Sequence, residues 1–428
     1  MKSAKRYLCL FSVFFWFLPG IITPVSAQFS LIPMDETQTD HLKAYGIAYW
    51  ALQEPRGWTV EWVLNYRYGS FIIYDSEEVQ KKCLLEGVTV ESLSAAGRDG
   101  ILRQIDSTNS ELVTLEKAPS VAVYVPPNFD PWDDAVTLVL EYAKIPYQKI
   151  WDPEVISDKV QEFDWIHLHH EDFSGQYGKF YGSFRTAPWY LEKVRLFKEA
   201  AREAGFPSVA EHKRAVAVHL AEFVNQGGFL FAMCSACDTL DIALAAEGID
   251  IIRPEIDGTP MTPNAQEKLR YDNSLVFKNF TLYPDPYVYE FSNIDCGPSQ
   301  GIPATYHNKR FTLVDFSAKQ DPVPSMLTQC HVNEVNEFRG QTSAFRKELL
   351  REDVQILGEF RGEGAVKYLH RNFGEGTVTF FGGHDPEDYE HIVYEGNTEL
   401  SLHKNSPGYR LILNNILFPA AKKRQRET

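Results

Sequence analysis

Short runs that are apolar at every position constrain this chain most. Val121-Ala122-Val123-Tyr124-Val125 is one, stopped by Pro126-Pro127. Successive side chains of a strand point to opposite faces, so a run apolar throughout needs cover on both faces. Behind it Ala135, Leu138, Val139 and Tyr142 recur at i, i+3, i+4 and i+7, the stripe of an amphipathic helix. The alternation continues with a strand at Gln148 to Trp151, a helix to Phe163 and the strand Trp165-Ile166-His167-Leu168. Ala217, Leu220, Ala221 and Val224 mark a further helix, ended by Gly227-Gly228. Phe229 to Met233 reads as a buried strand, and Thr239 to Ala246 returns as helix. Strand and helix in alternation predict an α/β fold, a doubly wound parallel sheet with helices on both faces.

Around this block the rhythm changes. Residues 28–115 read as a separate N-terminal α/β region, helical from Gln38 to Gln53, with strands at Thr59 to Leu64 and Ser70 to Tyr74. A helix over Ser76 to Leu85 is capped by Ser76, with Glu77 and Glu78 in its first turn. From about 250 to 350 the chain is rich in Pro, Tyr and Asn, with strand-like pieces at Thr281 to Tyr283 and Phe311 to Val314. It reads as an irregular inserted lobe or lid within a main domain of residues 116–428. Regular structure is expected to resume with the strand Gly376 to Phe381 and the helical stripe Tyr409, Ile412, Leu413 and Ile416.

Residues 1–27 read as a signal peptide: Lys2, Lys5 and Arg6, then an apolar stretch from Tyr7 to Ile22, then Val25-Ser26-Ala27 for cleavage before Gln28. The apolar stretch is too short to favour a stable membrane anchor. The expected location is the periplasm or beyond. Removing three positive charges from a net −16 leaves −19, and 42 basic residues against 58 acidic ones argue against nucleic acid as a partner. Cleavage also leaves five of the six cysteines, Cys83, Cys234, Cys237, Cys296 and Cys330. An odd number leaves at least one thiol free unless chains pair.

Three groups of residues carry chemistry. Cys234 stands where the buried strand Phe229 to Met233 turns into a helix, with Ala232 and Ala236 on either side. A nucleophile elbow needs such small neighbours, and a helix start lowers a thiol's pKa. A buried structural cysteine is the other reading, and Cys234-Ser-Ala-Cys237 also fits a Cys-x-x-Cys redox pair. His384 follows a second buried strand in Phe380-Phe-Gly382-Gly383-His384-Asp385-Pro386-Glu387-Asp388. In a parallel sheet both strand ends fall on one edge, so Cys234 and His384 are expected to meet there, with Asp385 or Glu387 orienting the imidazole. Otherwise this is a polar loop with a solvated histidine. The third group, His167-Leu168-His169-His170-Glu171-Asp172, ends a strand on the same edge and puts His167 and His169 on one face. Pocket lining by His169, His170 and Glu171 is expected. His170 with Glu171 or Asp172 could hold a metal, but the His-Glu-x-x-His spacing of zinc sites is missing, so no metal and no cofactor is expected.

These residues resemble the class I glutamine amidotransferase-like superfamily, and its ThuA-like branch in particular. Gly227-Gly228-Phe-Leu-Phe-Ala-Met-Cys234 looks like that family's glycine pair, strand and nucleophile. Gly374-Glu-Gly376-Thr-Val-Thr-Phe-Phe-Gly-Gly-His384-Asp-Pro-Glu387 looks like its late strand, histidine and glutamate, and Tyr409 to Phe418 like the ThuA-like final helix. The likeness covers residues 118 to 248 and 365 to 420. The chain departs from the glutaminases in having Ala232 and Ala236 for glycines, and in placing Glu387 one residue late. Leu31-Ile-Pro-Met-Asp-Glu, His41-Leu-Lys-Ala-Tyr-Gly and His169-His-Glu-Asp-Phe resemble exported bacterial proteins labelled asparagine synthetase B, although the Ser-Gly-Gly-x-Asp-Ser ATP loop is missing.

The resemblance implies a flavodoxin-like sheet and a hydrolase of an amide or related acyl bond. Cys234 would be the nucleophile, His384 the base, and the Ser235 N–H part of an oxyanion hole. The alternative is a non-catalytic ThuA-like protein that binds a glycan or peptide. A small molecule, peptide or glycan is the expected partner.

Overall fold

The computed structural model describes residues 28–127, 134–296, 310–389 and 396–421. Residues 1–27, read as a signal peptide, lie outside them. The first five strands, β1 (Phe29–Ile32), β2 (Val60–Leu64), β3 (Ser70–Tyr74), β4 (Glu91–Leu93) and β5 (Glu111–Leu115), form a sheet of order β4-β1-β3-β2-β5. Every neighbouring pair in it is antiparallel. The helix His41–Leu52 packs on this sheet, started by the Asp40 side chain, which accepts from Lys43 N–H. Ser76 does the same for the helix Glu77–Glu86 through Val79 N–H.

The second sheet has ten strands: β6 (Val121–Tyr124), β7 (Gln148–Ile150), β8 (Trp165–Leu168), β9 (Phe229–Met233), β10 (Arg310–Leu313), β11 (Glu334–Asn336), β12 (Phe345–Arg346), β13 (Gln355–Phe360), β14 (Ala365–Phe373) and β15 (Gly376–Phe381). They run in the order β11-β10-β13-β14-β15-β9-β8-β6-β7, with β12 paired to β14.

The expected doubly wound, flavodoxin-like parallel sheet is therefore corrected to a mixed one. Only β15, β9, β8, β6 and β7 are parallel, and β14, β13, β10, β11 and β12 pair antiparallel. The cause is connection length. Gly362 and Gly364, at φ +78° and +67°, turn the chain between β13 and β14, and Gly374, at +59°, turns it between β14 and β15. Links that short join antiparallel neighbours only. The segment expected as an inserted lobe supplies β10, β11 and β12 to this same sheet.

One buried apolar cluster joins the two sheets. It runs from Ile32, Trp62 and Phe71 through the helices His41–Leu52 and Pro407–Leu417 to Val123, Phe231 and Phe381. A second cluster fills the opposite face of the large sheet, with Ala122, Ile166, Leu230 and Phe380 against the helix Val209–Asn225. Alternate residues of β6, β8, β9 and β15 serve the two cores, as a strand covered on both faces requires.

Candidate active site

Strands β15, β9, β8 and β6 lie side by side and parallel. Met233 pairs with Phe381, Ala232 with Leu168, and Val123 with His167. Their carboxyl ends are therefore level, and the residues just beyond them share one edge, where ligands bind in sheets of this kind. Asp134 follows β6, His169 and His170 follow β8, Cys234 follows β9, and His384 follows β15. Main-chain bonds lock the set together. Cys234 N–H donates to Gly383 O at 3.1 Å, and Ala236 N–H donates to His169 O at 3.0 Å.

Cys234 occupies the left-handed region at φ +55°, between β9 and the helix Ala236–Ala245. A non-glycine residue held there is costly, and such costs collect at functional sites. Tyr177, Lys179 and Gly383 nearby in the fold are also left-handed, at +55°, +58° and +92°. Ala232 and Ala236 are fully buried on either side of the turn. Burial raises the Cys234 thiol, against three main-chain N–H groups, of Thr342, Gln341 and Ser235, that favour the thiolate. Of these, Gln341 N–H donates to Sγ at 3.2 Å.

That donor sits on a strap, Phe338 to Ser343, which crosses both candidate catalytic residues. His384 N–H donates to Arg339 O at 2.7 Å and Gly383 N–H to Thr342 O at 2.8 Å. Gln341 Nε2 reaches Gly178 O at 2.8 Å. Gly340 must be glycine here, because a Cβ would lie 3.0 Å from Cys234 Sγ and 2.9 Å from His384 N. Both ends of the strap are held by the buried Lys367, whose Nζ donates to Phe338 O, to Ser343 O at 2.8 Å and to Glu337 Oε1 at 2.9 Å. Thr342 Oγ1 donates to Asp238 Oδ1 at 3.0 Å. Burial, then the nearby Asp295, pushes the Asp238 acid well above the carboxylate range.

The histidines form a second layer. His167 Nε2 meets Asp134 Oδ2 at 2.9 Å, and its Nδ1 meets Phe231 O at 3.2 Å. His169 Nδ1 lies 3.0 Å from Asp134 Oδ1. Burial alone would raise the Asp134 carboxyl, but His167 and His169 beside it hold it well below its usual range. Burial pushes His169 down to about 4, against the pull of Asp134, so at neutral pH its ring is uncharged. The His169 ring lies against His384, centroids 4.3 Å apart, and His170 stacks on His384 at 5.3 Å with planes 6° apart.

Asp134 escaped the sequence reading. Its one visible signal was its place before the apolar stripe of the helix Ala135–Ala143, whose first turn it caps by accepting from Val136 N–H at 2.7 Å and Thr137 N–H at 3.3 Å. The two expected orienting acids each have a partner of their own. Glu387 Oε2 pairs with His403 Nδ1 at 2.9 Å. Asp385 is buried, accepts from Glu387 N–H at 2.9 Å, and with burial raises the phenol of Tyr409 well above its ordinary range. Glu171 is buried with Oε2 lacking a hydrogen-bond partner among the described residues, and Ser235 Oγ is in the same position. Cys237 is packed away, its thiol on Ala232 O at 3.3 Å, and all five described cysteines are free.

Two open surface clefts, of about 920 and 580 Å³, are lined neither by Cys234 nor by His384. The smaller is walled by Arg253, Tyr283, Asp285 and Tyr287. Among the described residues no helix is long and apolar enough to cross a membrane.

No family model and no curated protein matches the chain. Among solved structures it is similar to a cytoplasmic protein from Salmonella typhimurium, at 8% identity and a TM-score of 0.35, over 71% of this chain and 100% of that one. A cytoplasmic protein from Salmonella typhimurium LT2 is similar at 12% identity and a TM-score of 0.35, with the same coverage. An exo-beta-1,4-mannosidase from Opitutaceae bacterium strain TAV5 is similar at 12% identity and a TM-score of 0.26, over 62% of this chain and 31% of that one. Likeness this distant transfers neither fold nor activity, so function is argued from the site.

Proposed function

We propose that this protein is a cysteine-dependent hydrolase of an amide or related acyl bond, of the class I glutamine amidotransferase-like kind and nearest its ThuA-like branch. The observation that carries the reading is Cys234 held left-handed at a strand-to-helix turn, its main chain bonded to the residue before His384. In this reading His384 accepts the Cys234 proton and the thiolate attacks the substrate carbonyl. The N–H group of Ser235, already directed at the sulfur, receives the developing oxyanion. Collapse expels the amine, which takes the proton back from His384. Water, deprotonated by the same imidazole, then releases the acid from the thioester. A substrate reaches Sγ only when the strap lifts, because Gly340 lies against the sulfur.

Iodoacetamide alkylation of Cys234 at neutral pH, followed by mass spectrometry, tests the pairing. His384→Ala should slow it at least about tenfold in a folded protein, because the thiolate loses the imidazolium that stabilises it. An unchanged rate removes the dyad. The second reading is a non-catalytic protein that binds a glycan or peptide. It is favoured by the strap over Sγ and by the burial that keeps the thiol protonated. Cys234→Ser would then keep ligand binding and lose nothing else.

A further inference from the structure

We propose that His169, His170 and His384 form a binding site for one divalent transition-metal ion of the zinc class, with Asp134 orienting His169. The three residues present imidazole nitrogens that all lie within 4.8 Å of one another. A metal held at about 2.1 Å would draw such nitrogens to roughly 3.4 Å apart, a shift of about an ångström that rotation of the rings supplies.

The stronger observation is His169. It is 97% buried, its Nδ1 lies 3.0 Å from Asp134 Oδ1, and neither ring nitrogen meets hydrogen-bond geometry with a partner among the described residues. A carboxylate on one ring nitrogen fixes the tautomer and turns the other nitrogen's lone pair outward, the arrangement around metal-ligating histidines. A buried nitrogen left without a partner costs about 1–3 kcal/mol, so its retention calls for something to bind it. Asp134 is itself immobilised by His167 and by the helix it caps.

A second set, Asp134, His167 and His169, has donors equally close together. There, however, the Asp134 carboxylate is already engaged by His167, and all three residues are buried. The three-imidazole set has a half-buried member, His170, through which an ion can arrive from solvent. Three neutral nitrogen donors without a carboxylate select zinc, copper, nickel or cobalt over calcium or magnesium. The site does not depend on the hydrolase reading, but its consequence does: a metal that takes the His384 lone pair denies Cys234 its base, so a loaded protein is resting and a stripped one reactive.

The full chain, stripped with a chelator, is titrated with zinc by calorimetry and by competition against a chromophoric chelator. One ion per chain is expected. His170→Ala, a half-buried position whose loss leaves the fold intact, should weaken binding at least tenfold, and Asp134→Asn by 10- to 100-fold. Cys234→Ser should keep the affinity within about threefold. No binding, or binding that ignores His170→Ala, overturns the site. Zinc should also slow Cys234 alkylation in the wild type. Absent zinc binding with His384-dependent alkylation removes the metal and keeps the hydrolase. Zinc binding with alkylation indifferent to His384 does the reverse.

Discussion

Strands β6 and β8 carry a buried polar cluster on each face, and the two are built differently. On one face Lys213 Nζ donates to Tyr124 Oη at 2.9 Å and to Asp152 Oδ1 at 3.0 Å, and Tyr124 Oη donates to Asp152 as well. The ammonium lies 4.4 Å from the centre of the Phe197 ring. One cation, one anion and one hydroxyl meet there, with Asp152 Oδ2 left without a hydrogen-bond partner among the described residues, and none of the three has positive φ. On the other face Asp134 gathers His167 and His169, but bonding capacity is left over at His169 Nε2, and left-handed residues stand beside the cluster at Cys234 and Gly383. Buried charge is therefore no sign of function by itself. Backbone cost beside unused bonding capacity is the sign, because of the two clusters only the histidine one has left-handed residues next to it.

The largest expected effect falls on the closed cluster. Lys213→Met leaves Asp152 buried without its cation and should cost about 3–5 kcal/mol in denaturant unfolding. The alkylation rate of Cys234 should stay at the wild-type value in the folded fraction. A changed thiol reactivity would show that the two faces are coupled and break the contrast.

Acid should act through the open cluster. A histidine held at about 4 when folded and 6.5 when unfolded takes up its proton more readily in the unfolded chain. Its stabilising effect is complete above about pH 6.5 and is lost as pH falls through 4. His41, pushed down to about 3 by burial, and His331 and His370, pushed down to about 4, act in the same direction. Stability should fall between pH 6.5 and 4, and His169→Gln should flatten that arm by up to a few kcal/mol. An arm of unchanged slope would mean that His169 is not the neutral, buried ring described above.

The parallel half of the large sheet was legible because Val121 to Tyr124 and Phe229 to Met233 are apolar at every position, and because helical stripes separate them. The edge shared by Cys234 and His384 followed from that alternation alone. The antiparallel half was not legible. In β14 the polar Lys367 and His370 interrupt the apolar pattern, yet both are buried, Lys367 with its bonds to the strap and His370 with Thr379 Oγ1 at 2.9 Å. A strand whose polar residues find partners far along the chain carries no local signal. The same limit hid the histidine site. Spacing rules compare neighbours in sequence, whereas the third imidazole comes from the turn after β15 and the orienting carboxylate from a helix cap. The strap was foreseen only as part of a lid, and its contact with Sγ depends on one glycine that no pattern marks.

The smallest expected effect sharpens the contrast within a single turn. Cys234 and Cys237 sit three positions apart at one strand-to-helix junction, and the sequence alone allowed both a nucleophile and a redox pair. The structure separates their surroundings. Cys234 Sγ accepts from Gln341 N–H and borders Gly340 of the strap. Cys237 Sγ bonds Ala232 O at 3.3 Å, and burial first, then Asp238 and Cys234, pushes its thiol well above the ordinary range. A redox couple needs both sulfurs, one to attack and one to resolve the mixed disulfide. A hydrolytic turn needs only the first. Serine at 237 can donate to the same carbonyl, so Cys237→Ser should cost no more than about 1 kcal/mol of stability. It should leave the alkylation rate of Cys234 within about twofold of wild type. If Cys237→Ser instead alters Cys234 reactivity as strongly as His384→Ala does, the two sulfurs act as a unit, and the assignment of Cys234 as a lone nucleophile falls.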